Sequence, residues 1–510
     1  MGRPRKSRSP AEPAATAGSS DGDSGTEGYG SAGSSTCTAV AKVLTRPKRV
    51  QRTRSGCVTC KQRRKKCDEK FIAERKGTQP RCGDCRRLGL VCQRSPAPSS
   101  RRPTTSPSIF TTLIAPPPPI CFYDGCTPQE KHLLQHYTCV VSKSLSVVPD
   151  EINSFISLFV PMALQQPAMR NALLGLSATH LKRVHPGYDL AAVEHQNKAV
   201  HMANALLRKG DDQSSMEGLA AILFLCLQEI CEGRSRQWPM HLEAAVTLIN
   251  NKGGPMAFPY SVRFLVEAVA YFDSVATLSL TKSAFLDQQF YLPLSPVAPL
   301  PAHALFGTSH ALFAIIADIS QLSQVSHIRY HSPAAETNFR AVASELELQL
   351  QTWSPVPCTS QTTDPNLHYK VTAAGIMLQW AALMRLHLIV ESSDPRGIHH
   401  PKVRTAVRNI LVALEAIPEG DLVESMLVFP MFAAGFGAVT EEEKRTVRER
   451  FAIMERSIGF GNVFDAHELV ELKWRKVEEE RRCGLEVVGS AENMTWEQLV
   501  REGEQTLLMG

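Results

Sequence analysis

The feature that most constrains this chain is a cysteine spacing that occurs twice between residues 57 and 92. Cys57-Val58-Thr59-Cys60 is followed, after six residues, by Cys67. Fourteen residues later comes Cys82-Gly83-Asp84-Cys85, and after six more, Cys92. Each half therefore reads C-x2-C-x6-C. A C-x2-C turn aims two thiolates into one tetrahedral metal site. Two tetrahedral zinc ions present about eight ligand places, which six cysteines fill only if two thiolates are shared. The spacing thus predicts a binuclear cluster with two zinc ions per chain and two bridging sulfurs. A single zinc on the two C-x2-C pairs would leave Cys67 and Cys92 as passengers, against the repeated six-residue spacing. The N-terminus is polar and basic without an apolar stretch, so no secretory signal is expected. Fourteen cysteines in such a chain speak for metal rather than for a disulfide framework.

Between Cys60 and Cys67 stands Lys61-Gln62-Arg63-Arg64-Lys65-Lys66, five cations in six residues on a short helix leaving the metal site. Six thiolates and two Zn2+ carry a charge of about −2 and offset only part of that run. An anionic partner is expected, and the major groove of double-stranded DNA supplies one. Arginine binds guanine O6 and N7 in a bidentate way while its neighbours hold phosphates. The same run can serve as a nuclear-import signal without competing with that role. The charge distribution agrees. Residues 1–110 carry 24 Lys/Arg against 8 Asp/Glu, whereas the remaining 400 residues carry 32 against 42, within a chain of net charge +6. A basic head on an acidic body places the polyanion at the head.

Residues 1–56 are rich in Ser, Gly, Ala, Thr and Arg and read as a disordered basic tail. Residues 93–120 read as an extended Pro/Ser/Thr-rich linker between the 57–92 cluster and the body. From 121 to 510 apolar residues recur at three- and four-residue spacing, which predicts an all-α body. Thr127-Pro128-Gln129-Glu130 is a helix start with a capping box, backed by Leu133, Leu134, Tyr137, Val140 and Val141 on one face. Further helices are expected over 168–184, 191–208, 216–231, 239–250, 261–280, 308–325, 334–352, 368–391, 402–416, 441–458 and 464–481. The apolar runs Leu219 to Leu227 and Met426 to Val439 read as buried helix. No uninterrupted apolar segment reaches the length that spans a bilayer, so no membrane partner is expected.

Cys57 to Cys92 resembles the fungal Zn2Cys6 binuclear cluster, whose pattern has a basic run between the second and third cysteines. A proline two residues before the fourth cysteine is common in that family, and Pro80 before Cys82 fits. The resemblance implies that Cys57 and Cys82 bridge the metals, that Cys60 and Cys67 complete one site, and that Cys85 and Cys92 complete the other. It also implies that Arg64 reads a CGG-type half-site, with Lys65 and Arg63 as secondary readers; Lys61 and Lys66, from the charge of the run itself, are expected as further DNA contacts. The fourteen-residue loop from Asp68 to Arg81 is longer than the family's common range, which leaves the loop's shape open but not the ligands. In the body, Phe159-Val160-Pro161, Asn171 to His180, and Trp238-Pro239-Met240-His241 to Ala245 resemble the helical regulatory domain of these factors. That resemblance implies a domain for regulation or homodimerisation, in some members for sensing a small-molecule effector.

The chain is therefore expected to be a nuclear, sequence-specific DNA-binding regulator of RNA polymerase II transcription, with pathway-specific metabolic control within its range. Alternatives are a zinc-dependent protein-interaction scaffold or corepressor, and an α-helical enzyme with a DNA-binding head. No phosphate-binding loop, dinucleotide fingerprint, nucleophile elbow or kinase set supports the enzyme. Lesser signals take plainer readings. Gly2-Arg3-Pro4-Arg5-Lys6 matches the core of a minor-groove hook but also any basic tail. Arg46 to Arg54 suits phosphate contacts and import. His132 and His136 are four residues apart without the glutamate of a metalloprotease and are assigned to packing or capping. Cys226 and Cys231 are core thiols. Asp421 to Glu424 and Glu441 to Glu443 are expected on solvated faces.

Overall fold

The computed structural model describes scattered positions between 57 and 92 and, in the body, residues 125–503 apart from 234–236, 281–283, 285, 287–301, 356–363, 365 and 484–490. The tail 1–56 with its Gly2–Lys6 and Arg46–Arg54 segments, the linker 93–120, and Lys61 and Arg64 lie outside the described residues. Two compact units result, one within residues 1–112 that holds the cysteines and one within 113–510 that holds the long helices. No strand occurs among the described residues; an isolated antiparallel bridge joins His303 and Gly307.

The first unit contains a short helix, α1, Gly83–Arg87. The second opens with α2, Pro128–His136, where the Thr127 hydroxyl accepts from the Glu130 amide and the Glu130 carboxylate accepts from the Thr127 amide. A wide turn, Tyr137–Val141, continues it. Then come α3 Phe159–Gln165, α4 Pro167–Lys182, α5 Asp189–Lys209, α6 Asp212–Glu232, α7 Trp238–Asn251 and α8 Arg263–Leu280. The second half comprises α9 His310–Gln324, α10 Pro333–Thr352, α11 Leu367–Val390, α12 Pro401–Leu414, α13 Val428–Gly437, α14 Glu441–Ser457, α15 Gly461–Cys483 and α16 Trp496–Glu502. The starts follow their chemistry. Proline occupies the first turn of α4, α7, α10 and α12, while Asp211, Ser332, Thr440 and Thr495 cap α6, α10, α14 and α16 through their side chains.

In the first half α4 packs along α5 and α6, and α6 along α7; in the second, α11, α12, α14 and α15 gather around α13. The α13 sequence VFPMFAAGFG is buried at every position. Two of its glycines permit the close approach: a methyl group at Gly435 would lie 2.6 Å from Val470, and one at Gly437 would lie 2.7 Å from Val407. A helix buried end to end must still satisfy its last carbonyls. Three side chains do this for α13. Trp474 Nε1 donates to Gly435 O at 3.0 Å, Lys473 Nζ to Phe436 O at 2.8 Å, and Arg404 to Gly437 O. The device recurs. Arg170 donates to the last turn of α3 at Ala163 O and Leu164 O, Arg183 to α6 at Cys231 O and Glu232 O, and Arg329 to α11 at Ile389 O and Val390 O.

Several expectations need correction. Asp421 to Glu424 is not a solvated face. Glu424 is 0% exposed and receives Arg450 at 2.7 Å, and Asp421 accepts from Lys370 at 2.6 Å. Glu443 likewise pairs with Arg404 and completes the capping box of α14, while Glu441 and Glu442 are exposed. Two helices, Asp212–Glu232 and Leu367–Val390, do meet the length and mean hydropathy of a membrane span, because such an average tolerates Glu229 in one and Arg385 and His387 in the other. Both are core helices here, with 94% and 72% of their most apolar windows buried. The C-terminal helix α16 carries too short a pattern to be read from sequence. Trp496 seats it, packed edge-on against Phe432 at 4.5 Å, with Nε1 donating to Leu278 O at 3.1 Å.

Candidate metal centre and nucleic-acid interface

The two C-x2-C segments fold alike. The Cys60 amide donates to Cys57 Sγ at 3.4 Å, and the Cys85 amide donates to Cys82 Sγ at 3.4 Å. Each turn thus points both of its sulfurs to one side. In the second turn Cys82 is also the N-cap of α1, so the helix start and the sulfur site are one structure. The Cys82 amide donates to Cys92 Sγ at 3.3 Å, which brings the last cysteine back over the second pair. Cys57, Cys60, Cys82, Cys85 and Cys92 are at most 5% exposed and pack together; Cys67 is half-buried beside them.

The sulfur spacing is that of a metal site. Cys57 Sγ lies 3.7 Å from Cys82 Sγ and 3.8 Å from Cys85 Sγ, and Cys60 Sγ lies 3.7 Å from Cys82 Sγ. A tetrahedron with metal–sulfur bonds of about 2.3 Å has edges of about 3.8 Å. A disulfide would need about 2.05 Å. Two four-sulfur groups meet the condition, Cys57 with Cys60, Cys67 and Cys82, and Cys57 with Cys82, Cys85 and Cys92. Within each, the sulfurs lie within 4.8 Å of one another, and Cys57 and Cys82 belong to both. The donor set is all thiol, which suits zinc. Burial pushes the Cys85 thiol up to about 12 and the Cys60 thiol higher still. A dication bound here would have to displace those protons.

The structure also shows support that the cysteine pattern did not reveal. The carboxylate of Asp68, next to Cys67, accepts the Gly83 amide at 3.1 and 3.0 Å, across the fourteen-residue loop. The signal available in sequence was an acid immediately after the third cysteine and a glycine immediately after the fourth.

Of the basic run, Arg63, Lys65 and Lys66 are exposed. The Arg63 amide donates to Thr59 O at 3.2 Å and the Lys65 amide to Cys60 O at 3.0 Å, so one turn begins at Thr59, but Lys65 and Lys66 stand past it in non-helical chain rather than on the short helix expected. Arg86 and Arg87 at the end of α1 add exposed cations that the basic run did not flag, and Arg87 pairs with Asp84 at 3.3 Å. The histidines behave as packing groups. His132 bonds Tyr188 at 2.7 Å and His136 bonds His180 at 3.0 Å. Cys226 and Cys231 are buried in α6.

Comparison with known proteins bears chiefly on the helical body. The model of a family described as the fungal specific transcription factor domain matches residues 132–510. The chain is similar to the transcriptional activator protein UGA3 of Saccharomyces cerevisiae, 26% identical over 40% of this chain and 45% of the relative. It thus spans under half the length of that relative. An uncharacterized transcriptional regulatory protein of Schizosaccharomyces pombe is 22% identical over 87% of this chain and 95% of its own length. The Zn(2)-C6 fungal-type transcription factor afumD of Aspergillus fumigatus is 30% identical over 27% of this chain and 34% of the relative. No solved structure matches.

Proposed function

The chain belongs to the family of the fungal specific transcription factor domain, and from that membership we propose a nuclear, sequence-specific DNA-binding regulator of RNA polymerase II transcription whose head reads CGG-type half-sites. The observation that carries the reading is the pair of four-sulfur groups sharing Cys57 and Cys82 beside an exposed basic turn.

In this reading two zinc ions lie in the head. Cys57 and Cys82 would be shared between them, Cys60 and Cys67 would complete one set of four thiolates, and Cys85 and Cys92 would complete the other. The zinc supplies folding free energy to a segment too short for an apolar core of its own, and no reaction chemistry. The chain's own residues do the recognising. The turn after Cys60 presents the basic run to the major groove, where Arg64 takes guanine O6 and N7. Arg63 and Lys65 flank it, and Lys61 and Lys66 hold phosphates. The head at 57–92 is joined through 93–120 to the helical body, and the excess of acidic residues beyond position 110 keeps that body away from DNA.

Selection of bound duplexes from a random pool by the full chain tests this reading. Enrichment of CGG-type half-sites is expected, and Arg64→Ala should weaken them by about 1–3 kcal/mol and relax base preference. Lys66→Ala should weaken all duplexes alike and flatten the salt dependence. A chain that retained no duplex at low salt would instead be read as a zinc-dependent scaffold for proteins.

A further inference from the structure

The walls of one cleft in the helical body are α12 and α14. Both rest on α13, yet between them a space of about 480 Å³ stays open. Two struts hold the walls apart. Near the helix starts Arg404 pairs with Glu443. Toward the end of α12 the buried Arg450 of α14 donates to Ile417 O at 2.7 Å and Pro418 O at 3.3 Å, with Glu424 at 2.7 Å behind it. The cleft is therefore fixed by the body's own bonds rather than opened by whatever enters it.

Its lining combines two chemistries. Leu411 and Ile453 are half-buried and Val412 is 58% exposed, so apolar surface faces the opening. Around it stand four exposed carboxylates, Glu415, Glu419, Glu442 and Glu449. The struts use Arg404 and Arg450, Arg445 stands 4.0 Å from Glu449 outside the lining, and Arg408 is the remaining lining cation beside those four acids. An anion or a nucleic acid would be repelled here. An apolar floor between two helices, ringed by acid, complements a helix with one apolar stripe and basic flanks.

We propose that the cleft between α12 and α14 is a docking site for a basic amphipathic helix of a partner protein. Apolar side chains of the partner cover Leu411, Val412 and Ile453, and its Lys or Arg residues meet Glu415, Glu419, Glu442 and Glu449. The site stands apart from the DNA-binding reading, because it uses none of the residues of the head.

The test is fluorescence anisotropy of a labelled leucine–lysine amphipathic peptide, about 18 residues long, titrated with the full chain. Saturable binding that weakens with added salt is expected. The double substitution Glu415→Lys/Glu449→Lys should reduce affinity roughly tenfold or more, and Val412→Asp should do the same, whereas Glu345→Lys, outside the cleft, should change nothing. Unaltered far-UV melts of the variants keep the comparison valid. Equal binding of a leucine–glutamate peptide, absence of binding, or indifference to the cleft substitutions would overturn the proposal. Tighter peptide binding after deletion of residues 46–54 would assign the cleft to the chain's own basic segment and equally overturn a separate partner.

Discussion

Asp68 holds the Gly83 amide in a fork, with Oδ1 at 3.1 Å and Oδ2 at 3.0 Å. A methyl group at position 83 would meet Oδ2 at 2.2 Å, so the fork needs glycine as much as it needs the acid. It ties the residue after Cys67 to the residue after Cys82, orienting both cysteines by a bond that is not a metal bond. Asp68→Ala and Gly83→Ala are each expected to lower zinc affinity roughly 10–100-fold, as loss of an outer support does elsewhere. Competition with a chromophoric chelator measures this. Parental affinity in both variants would mean that the fork does not support the cluster.

Cys57 belongs to both sulfur groups and Cys67 to one. Metal analysis of the full chain should return about two zincs, since six thiols can complete two tetrahedra only by sharing. Cys57→Ala should deplete both ions and Cys67→Ala chiefly one. Equal depletion by the two substitutions would contradict the sharing.

The His136–His180 pair makes the body sensitive to acid. His180 Nε2 lies 2.9 Å from Ile458 O, which can only accept, so that nitrogen carries the proton. His180 Nδ1 then accepts from His136 Nε2 at 3.0 Å, and both rings are neutral. Burial, seconded by His180, pushes His136 from 6.5 down to about 3, and burial lowers His180 as well. The folded state binds these protons less readily than the unfolded chain. The contribution is therefore complete above pH 6.5 and is lost as pH falls from 6.5 toward 3. For His136 the loss at pH 5 is about 1–2 kcal/mol. Urea midpoints at pH 7.5 and 5 should differ less in His136→Gln than in the parent; an identical difference would acquit the pair.

Lys473 is 1% exposed, with Nζ on Phe436 O and 3.4 Å above the Phe436 ring. Those contacts favour the ammonium, but burial outweighs them and pushes the amine from 10.5 down to about 7. Because the folded pKa is depressed, the folded state loses stability as pH falls from 10.5 to 7 and levels off below. Lys473→Met removes that dependence. Relative to the parent, the variant should gain about 2–3 kcal/mol between pH 9 and pH 6, measured by chemical denaturation at both values. No relative gain would show that the ammonium is held in the fold.

Much of the helical body was legible because a helix is a local decision. The patterns at 191–208 and 368–391 match α5 and α11 to within a residue or two, and Thr127 with Glu130 marked the start of α2. The periodicity reports which face is apolar, and caps report where a chain turns. Neither says what a polar side chain will meet. Asp421 to Glu424 looked like a solvated run, yet Glu424 is buried because Arg450, twenty-six residues away, needs a carboxylate beside the Ile417 and Pro418 carbonyls in the turn after α12. The short helix α16 was missed because seven residues hold too little pattern, and its place is fixed by Trp496 among the α13 rings.

The sequence by itself determined the cysteine cluster and the long helices. Cysteine spacing constrains turn geometry directly, and apolar period constrains a helix within a few turns of itself. Only the tertiary structure decided that Asp68 reaches Gly83, that Lys473 and Trp474 cap α13, and that α12 and α14 leave a cleft between them. The physical reason is reach. A hydrogen bond or a burial between residues far apart in the chain depends on how whole helices pack, and that packing is a sum over many faces which no single window of sequence contains.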